Sequence, residues 1–273
     1  MTKNDKLHLV KDLPENVLKD AMNYVSDCSV ALIGLSRDDK IISEAIASDT
    51  LISIKNIFGV LTARHAWEMF RDHSKVHNIH FSILGYPHFI SELRSYINPI
   101  MPDIDADICF LELPARIVST IKAYRVFYPL KKENLPIIKN IKEDLWLTFG
   151  FPAEMKSDEK KIIMPLPYFT NIVTYSDDKN GYDEIELIVS YKDSNIDKIP
   201  KTLGGMSGGG IWNFKIFSND DNEGVCFLGK SQSEKRLVGV NFWETSLEDG
   251  ERRIKGVGPI SIYHKLFNKV CTL

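Results

Sequence analysis

A serine surrounded by glycines is the first feature of this sequence that could do chemistry. Residues 203–212 read LGGMSGGGIW, with Ser207 at the centre. The segment allows three interpretations: a flexible loop, the nucleophile elbow of an α/β-hydrolase, or the nucleophile of another class of serine hydrolase. The elbow is included because Gly205-Met206-Ser207-Gly208-Gly209 fits the pattern G-x-S-x-G. The segment alone does not decide among them.

The residues on either side of Ser207 disfavour the elbow. An elbow needs a buried strand that runs into the serine and a helix that leaves it. Residues 194–202 (SNIDKIPKT) are polar and contain a proline, whereas residues 208–217 (GGGIWNFKIF) have the alternation of a strand. The order Ser207, Asp249, His264 would fit an α/β-hydrolase, but the flanking segments do not.

A histidine and an aspartate upstream could activate the serine. A serine hydroxyl is a poor nucleophile at neutral pH and needs a base within hydrogen-bond reach. His65 follows an apolar run in GVLTARHA (59–66), and Asp107 precedes one in DADICFLEL (105–113). A histidine so placed takes the serine proton, and an aspartate orients the imidazole. Asp105 is the alternative to Asp107, which we favour because it lies closer to the apolar run.

These three segments together resemble the His, Asp and Ser motifs of the chymotrypsin/trypsin-like serine peptidases, in that family's order. Residues 237–244 (LVGVNFWE) resemble the strand that lines the family's substrate cleft, and residues 147–154 (LTFGFPAE) resemble a strand and turn of its bacterial members. Residues 256–260 (GVGPI) stand where the family has its last strand before a closing helix. The resemblance implies an all-β protein of two six-stranded antiparallel β-barrels, with a short N-terminal helix and a C-terminal helix.

The resemblance also implies a mechanism. His65, Asp107 and Ser207 would form the catalytic triad of a serine endopeptidase, without metal or cofactor. The backbone N–H groups of Gly205 and Ser207 would form the oxyanion hole, since glycine can adopt backbone conformations that are closed to other residues.

Substrate binding is implied at a strand and a pocket. Phe242, Trp243 and Glu244 would pair with an extended protein or peptide substrate by adding a strand. By the family's spacing, Lys201 would lie at the floor of the side-chain pocket, which Glu244 would partly fill. The two charges are opposite, so the sequence predicts no preferred substrate side chain.

Two departures from the family bear on activation and on compartment: the one at Met206 argues against activation by cleavage, and the one at Ala66 fits a reducing compartment. Met206 replaces the acidic residue that pairs with a freed N-terminus in secreted relatives, and Ala66 replaces a cysteine beside the histidine. We therefore expect no activation by cleavage, and instead narrow specificity or an activating or inhibitory protein partner. The alternative function is a catalytically silent peptide-binding module of the same fold.

Short apolar runs dominate the chain and predict strands in an all-β sandwich or pair of barrels. Apolar residues at helical spacing predict helices at 14–25 and 262–270. Residues 127–136 (FYPLKKENLP) are polar and predict the connection between the halves, and Asn180-Gly181 indicates a two-residue hairpin turn. The predicted units are an N-terminal helical extension (1–28), a half carrying His65 and Asp107 (29–126) and a half carrying Ser207 (127–273). The predicted strands include 29–36, 51–62, 79–86, 108–113, 145–151, 171–175, 184–191, 210–217, 224–229 and 236–243.

Composition limits the other classes of function. The 273 residues are 44% hydrophobic and 26% charged, with a net charge of −3, which favours neither nucleic acid nor a membrane as partner. The N-terminal residues lack a signal-peptide pattern. The scattered cysteines Cys28, Cys109, Cys226 and Cys271 predict free thiols and a cytoplasmic protein. His73, His77 and His80 have a spacing that could bind a metal on a helix, but their polar segment predicts a solvated loop.

Overall fold

Two antiparallel β-sheets form the body of the protein in the computed structural model. The structure describes residues 10–35, 41–77, 80–85, 88–93, 97–136, 144–157, 162–170, 172–176, 181–190, 200, 202–218, 226–230 and 234–273. The prediction of an all-β protein is confirmed.

The first sheet follows the strand order β5-β4-β1-β2-β3-β7-β6, and β8 pairs in parallel with β2. The long strand β2 is central because it pairs with β1, β3 and β8. The strands are β1 (Ser29–Leu35), β2 (Ile41–Ile54), β3 (Ile57–Thr62), β4 (His80–Gly85), β5 (His88–Leu93), β6 (Asn98–Ile100), β7 (Cys109–Glu112) and β8 (Tyr128–Leu130).

The second sheet follows the order β12-β9-β15-β18-β19-β14-β13, and two short hairpins, β10-β11 and β16-β17, lie outside it. The strands are β9 (Leu145–Gly150), β10 (Lys156–Ser157), β11 (Ile162–Ile163), β12 (Leu166–Thr170), β13 (Ile172–Ser176), β14 (Glu184–Ser190), β15 (Gly210–Phe214), β16 (Ile216–Ser218), β17 (Cys226–Leu228), β18 (Lys235–Glu244) and β19 (Glu251–Val257).

The predicted pair of antiparallel β units is confirmed, with seven strands rather than six along each path. Each sheet is a path of seven antiparallel strands, and the two ends of each path are not paired with each other among the described strands. The run 51–62 is not one strand but the end of β2 and the whole of β3, joined at a tight turn where Lys55 has a φ of 52°. Short strands such as Asn98–Ile100 have too few residues for an alternation to predict them.

The core has three parts because the central strands bury both faces. The first unit is the first sheet with the helices that pack on it, and the second unit is the second sheet. On β2, Ile52 packs between the two sheets, whereas Leu51 packs inside the first unit. Ile211 lies inside the second unit, and its neighbour Trp212 faces the layer between the sheets. Complete burial on alternating faces explains why these strands read as continuous apolar runs rather than as alternating ones.

The two terminal helices lie where their apolar spacing predicts them. Helix α1 (Glu15–Asp27) follows Pro14 and buries Val17, Ala21 and Val25. At the other end, a π-helical segment (Ser261–Leu266) continues into the short C-terminal helix α4 (Phe267–Cys271). Together they bury Ile262, Leu266 and Val270. Both helices contribute to the core between the sheets.

Two internal helices were not predicted from the sequence. Helix α2 (Arg64–His77) and helix α3 (Ala115–Lys122) both belong to the first unit. The predicted solvated loop at His73 and His77 is therefore wrong: both lie on α2, which forms because Ala66, Trp67 and Phe70 bury one face. His80 begins β4. None of the helices that the structure describes is long and apolar enough to cross a membrane.

The connection between the halves also differs from the prediction. Tyr128 and Leu130 in the segment 127–136 are fully buried in β8, so this part is a strand of the first sheet rather than a polar linker. The two-residue turn at Asn180-Gly181 is wrong as well, because Ser176 pairs with Glu184 and leaves a longer connection. Asn180 itself lies outside the described residues.

Candidate active site

His65 lies between Asp107 and Ser207 at the boundary of the two sheets. The His65 Nε2 atom is 3.1 Å from Ser207 Oγ, and His65 Nδ1 is 2.5 Å from Asp107 Oδ2. The backbone N–H of His65 also donates to Asp107 Oδ1 at 2.8 Å. The structure thus brings together the three side chains that the sequence singled out, in the order that a proton relay needs.

Strand pairing in the first sheet places the histidine beside the aspartate. Strand β3 ends at Thr62, which pairs with Cys109 at the start of β7. His65 is in the first turn of α2, immediately after β3, and Asp107 is two residues before Cys109. Because both segments leave the same end of two paired strands, their side chains meet.

The hydrogen bonds fix the tautomer of His65. An ionised carboxylate can only accept, so Nδ1 carries the proton that faces Asp107. Nε2 is then the acceptor that faces the hydroxyl of Ser207. Side-chain exposure is 49% for His65 and 28% for Asp107, so the group opens to solvent and a substrate could reach it.

The glycine-rich segment before β15 is a tight turn with its own hydrogen bonds. Gly205 and Gly208 have φ values of +95° and +92°, which non-glycine residues rarely adopt. Met206 N–H donates to Leu203 C=O at 2.8 Å, and Gly209 N–H donates to Met206 C=O at 3.0 Å. The loop is therefore ordered by the backbone conformations that glycine allows.

Two backbone donors in this turn have no hydrogen-bond partner among the residues that the structure describes. Among the described residues, neither Gly205 N–H nor Ser207 N–H makes a hydrogen bond. The Gly204 carbonyl accepts from Ala153 N–H at 2.7 Å. Because the peptide group is planar and trans, the Gly205 N–H points away from that contact. Two unpaired donors beside a nucleophile are suited to an oxyanion.

Met206 is an apolar anchor for the serine. Its side chain is buried in the core of the second unit, together with Leu203 and Ile211. A Cβ at Gly150 would come within 2.6 Å of the Met206 sulfur, so the glycine leaves space for it. Packing therefore holds the residue that directly precedes Ser207.

A cavity of about 180 Å³ lies beside Ser207. It includes Phe242, Trp243 and Glu244, the residues predicted to bind substrate. Trp243 is half-exposed, with the ammonium of Lys255 5.3 Å from the centre of its ring. The rest of the lining is Leu203, Gly204, Met206, Ser207, Asn241 and Ile254.

Glu244 lines this cavity and has a buried counter-charge behind it. Its Oε1 accepts from Leu203 N–H at 2.6 Å, and its Oε2 is 3.6 Å from a guanidinium nitrogen of Arg252, which is 1% exposed. Burial raises the pKa of Glu244, and the Leu203 N–H and Arg252 offset this in part. The sequence did not predict that Arg252 is buried, because a charged residue in a strand is usually exposed.

The remaining residues that the sequence singled out lie away from this contact network or outside the described residues. Lys201 lies outside the described residues. Asp105 is exposed, and no hydrogen bond joins it to His65 in the part of the chain that the structure describes. Cys28, Cys109 and Cys271 are free thiols. The described side chains form no cluster of three metal-ligating groups.

No family model and no curated protein matches the sequence. Among solved structures, the chain is similar to the active form of the Rv3671c protease from M. tuberculosis, with a TM-score of 0.47 and 13% identity over 93% of this chain and 86% of that one. It is also similar to the thermostable serine protease AL20 from an extremophilic microorganism, with a TM-score of 0.46 and 11% identity over 90% of this chain and 98% of that one.

Proposed function

We propose that this chain is a serine endopeptidase of the chymotrypsin/trypsin-like family. The observation that carries the proposal is the position of His65, hydrogen-bonded to Asp107 on one side and to Ser207 on the other. In each contact the donor and the acceptor are arranged as general-base activation of a hydroxyl requires: Nδ1 donates to Asp107, and Nε2 accepts from Ser207.

The proposed reaction has two halves. Ser207 Oγ attacks the scissile carbonyl carbon while its proton passes to His65 Nε2, and Asp107 stabilises the imidazolium. The oxyanion accepts hydrogen bonds from Gly205 N–H and Ser207 N–H. The C–N bond then breaks as His65 protonates the leaving amine, and an acyl-enzyme remains. Water then attacks the acyl carbon while His65 takes its proton, and the ester bond to Ser207 breaks as His65 returns that proton to Ser207 Oγ. The carboxylic acid product leaves and Ser207 is free again.

The proposed substrate is an extended segment of a protein or peptide. Strand β18 pairs with β15 as far as Val240, and beyond it Trp243 and Glu244 pair only with β19. In the part of the chain that the structure describes, the other edge at 242–244 therefore has no strand partner. An extended peptide could pair there and place one side chain in the cavity beside Ser207.

A fluorophosphonate probe tests the proposal, because it forms a covalent bond with an activated serine. We expect wild-type protein to be labelled at Ser207, and Ser207→Ala to show no labelling. Ser246→Ala is the matched control, since its hydroxyl contacts Glu248 and not the site. A folded wild-type protein that is never labelled would overturn the proposal and favour the peptide-binding module.

A further inference from the structure

Ser48, a buried residue at the centre of β2, connects the first sheet to the turn that carries Ser207. Its N–H donates to the Ser207 carbonyl at 2.9 Å, and its Oγ donates to the Gly205 carbonyl at 2.6 Å. The same Oγ accepts from the N–H of Phe151 at 2.8 Å. One residue of the first unit thus contacts the carbonyls on both sides of Met206, as well as the segment after β9.

The side chain of Ser48 uses its hydroxyl as donor and acceptor at once. A hydroxyl has one proton to donate and lone pairs to accept with, so it can satisfy the Gly205 carbonyl and the Phe151 N–H together. An alanine would leave both groups without this partner. A thiol has a similar shape but is a weak donor and a weak acceptor.

Three glycines leave the space that Ser48 occupies. A Cβ at Gly208 would lie 2.0 Å from the Ser48 carbonyl oxygen, and one at Gly150 would lie 2.5 Å from Ser48 Oγ. A Cβ at Gly209 would lie 3.3 Å from the Cβ of Ser48. The glycines near Ser207 therefore have two roles: they allow the turn to approach Ser48 closely, and they allow the backbone conformation of the turn.

The contacts of Ser48 fix two peptide planes around the nucleophile. The Gly205 carbonyl shares a plane with Met206 N–H, which donates to Leu203. The Ser207 carbonyl shares a plane with Gly208 N–H, which donates to Asn241 at 2.7 Å. Each plane is therefore held at both ends. The Ser207 N–H, which makes no hydrogen bond within the described part of the chain, lies in the peptide plane between these two. Its direction therefore depends on both.

We propose that Ser48 is a positioning residue, which orients the backbone of residues 205–208 and keeps the donors of Gly205 and Ser207 in place for an oxyanion. The catalytic consequence rests on the proposed function. The anchoring of the turn does not, because it follows from the hydrogen bonds alone.

Amide hydrogen exchange tests the anchoring independently of activity. In Ser48→Ala, exchange of the Phe151 amide, which loses its acceptor, and of the Met206 amide, whose peptide plane loses the hydroxyl contact, should accelerate about tenfold, the effect of losing about one hydrogen bond. Amides of the β14-β19 ladder should not change. Ser53→Ala is the matched control, because Ser53 is on the same strand and no hydrogen bond joins its hydroxyl to the turn among the described residues. Unchanged exchange in Ser48→Ala would overturn the inference.

Labelling by the fluorophosphonate tests the catalytic consequence. In Ser48→Ala the maximal rate of labelling should fall about 10- to 100-fold, while the concentration for half-maximal rate stays the same. Ser48→Cys should behave similarly, which keeps the test valid if the alanine variant does not fold. Normal labelling of both variants with normal exchange contradicts the proposal. If Ser48→Ala exchanges faster but the wild-type protein is never labelled, the anchoring role of Ser48 stands and the peptidase proposal is rejected.

Discussion

Asp107 holds His65 by two hydrogen bonds, one from the ring and one from the backbone N–H of the same residue. The backbone bond fixes the carboxylate relative to the start of α2, and the ring bond then fixes the imidazole relative to the carboxylate. Asp107 therefore sets both the tautomer and the direction of the ring toward Ser207.

Replacement of Asp107 by asparagine should reduce the rate of probe labelling at Ser207 by about 10⁴-fold, the loss found for this change in a serine peptidase triad. An amide NH₂ can face Nδ1 only as a donor, which favours the tautomer with the proton on Nε2. Asp105→Asn is the control and should label normally, because no hydrogen bond joins Asp105 to His65 among the described residues. Equal losses in both variants would contradict the assignment of Asp107.

The two neighbouring glycines 204 and 205 should differ in their tolerance of alanine. Gly205 has positive φ, and an added Cβ would lie 2.7 Å from the Phe151 carbonyl oxygen, so the turn must move. At Gly204 the nearest side-chain atom is 3.7 Å away. We expect Gly205→Ala to slow labelling by about 10²- to 10³-fold, the loss for one oxyanion donor. Gly204→Ala should change it little. Similar rates in both would argue against the role of the Gly205 N–H.

The sequence predicted the all-β class and the terminal helices because both depend on local apolar spacing. It singled out His65, Asp107 and Ser207 because each follows or precedes an apolar run in a recognisable order. It did not predict Ser48, whose hydroxyl meets the Gly205 carbonyl across 157 residues of sequence. Helix α2 was missed because its second half is polar, so only its first turns have the apolar spacing. Such features depend on tertiary contacts that no local pattern records.

The buried Arg252 should contribute far more to stability than its exposed neighbour Arg253. Arg252→Met leaves the partly buried carboxylate of Glu244 without its counter-charge and should cost about 3–5 kcal/mol in the free energy of unfolding. Arg253→Met removes a pair with Glu186 in which the arginine side chain is 55% exposed, and should cost less than about 1 kcal/mol. Urea unfolding of the two variants measures the difference. Equal costs would show that the Arg252 pair stabilises no more than a surface pair.

Asp49 follows Ser48 on β2 and is buried. Its burial predicts that the stability of the protein depends on pH. Its side chain faces the core of the first unit, and burial raises its pKa to about 8, with the Thr62 side chain and the Leu32 N–H lowering it by less. Between about pH 4 and pH 8 the folded protein retains a proton that the unfolded chain has lost. The contribution of Asp49 to stability therefore falls as the pH rises through this range.

Asp49→Asn removes this penalty and keeps the shape of the side chain. The variant should gain stability relative to wild type between pH 4 and 8, by at most about 1.4 kcal/mol per pH unit. Above pH 8 the difference should be constant. Urea midpoints at pH 4.5, 6 and 7.5, chosen to lie within about that window, give the measurement. A difference that does not vary with pH would mean that Asp49 is ionised in the folded protein throughout, with a polar partner that outweighs its burial.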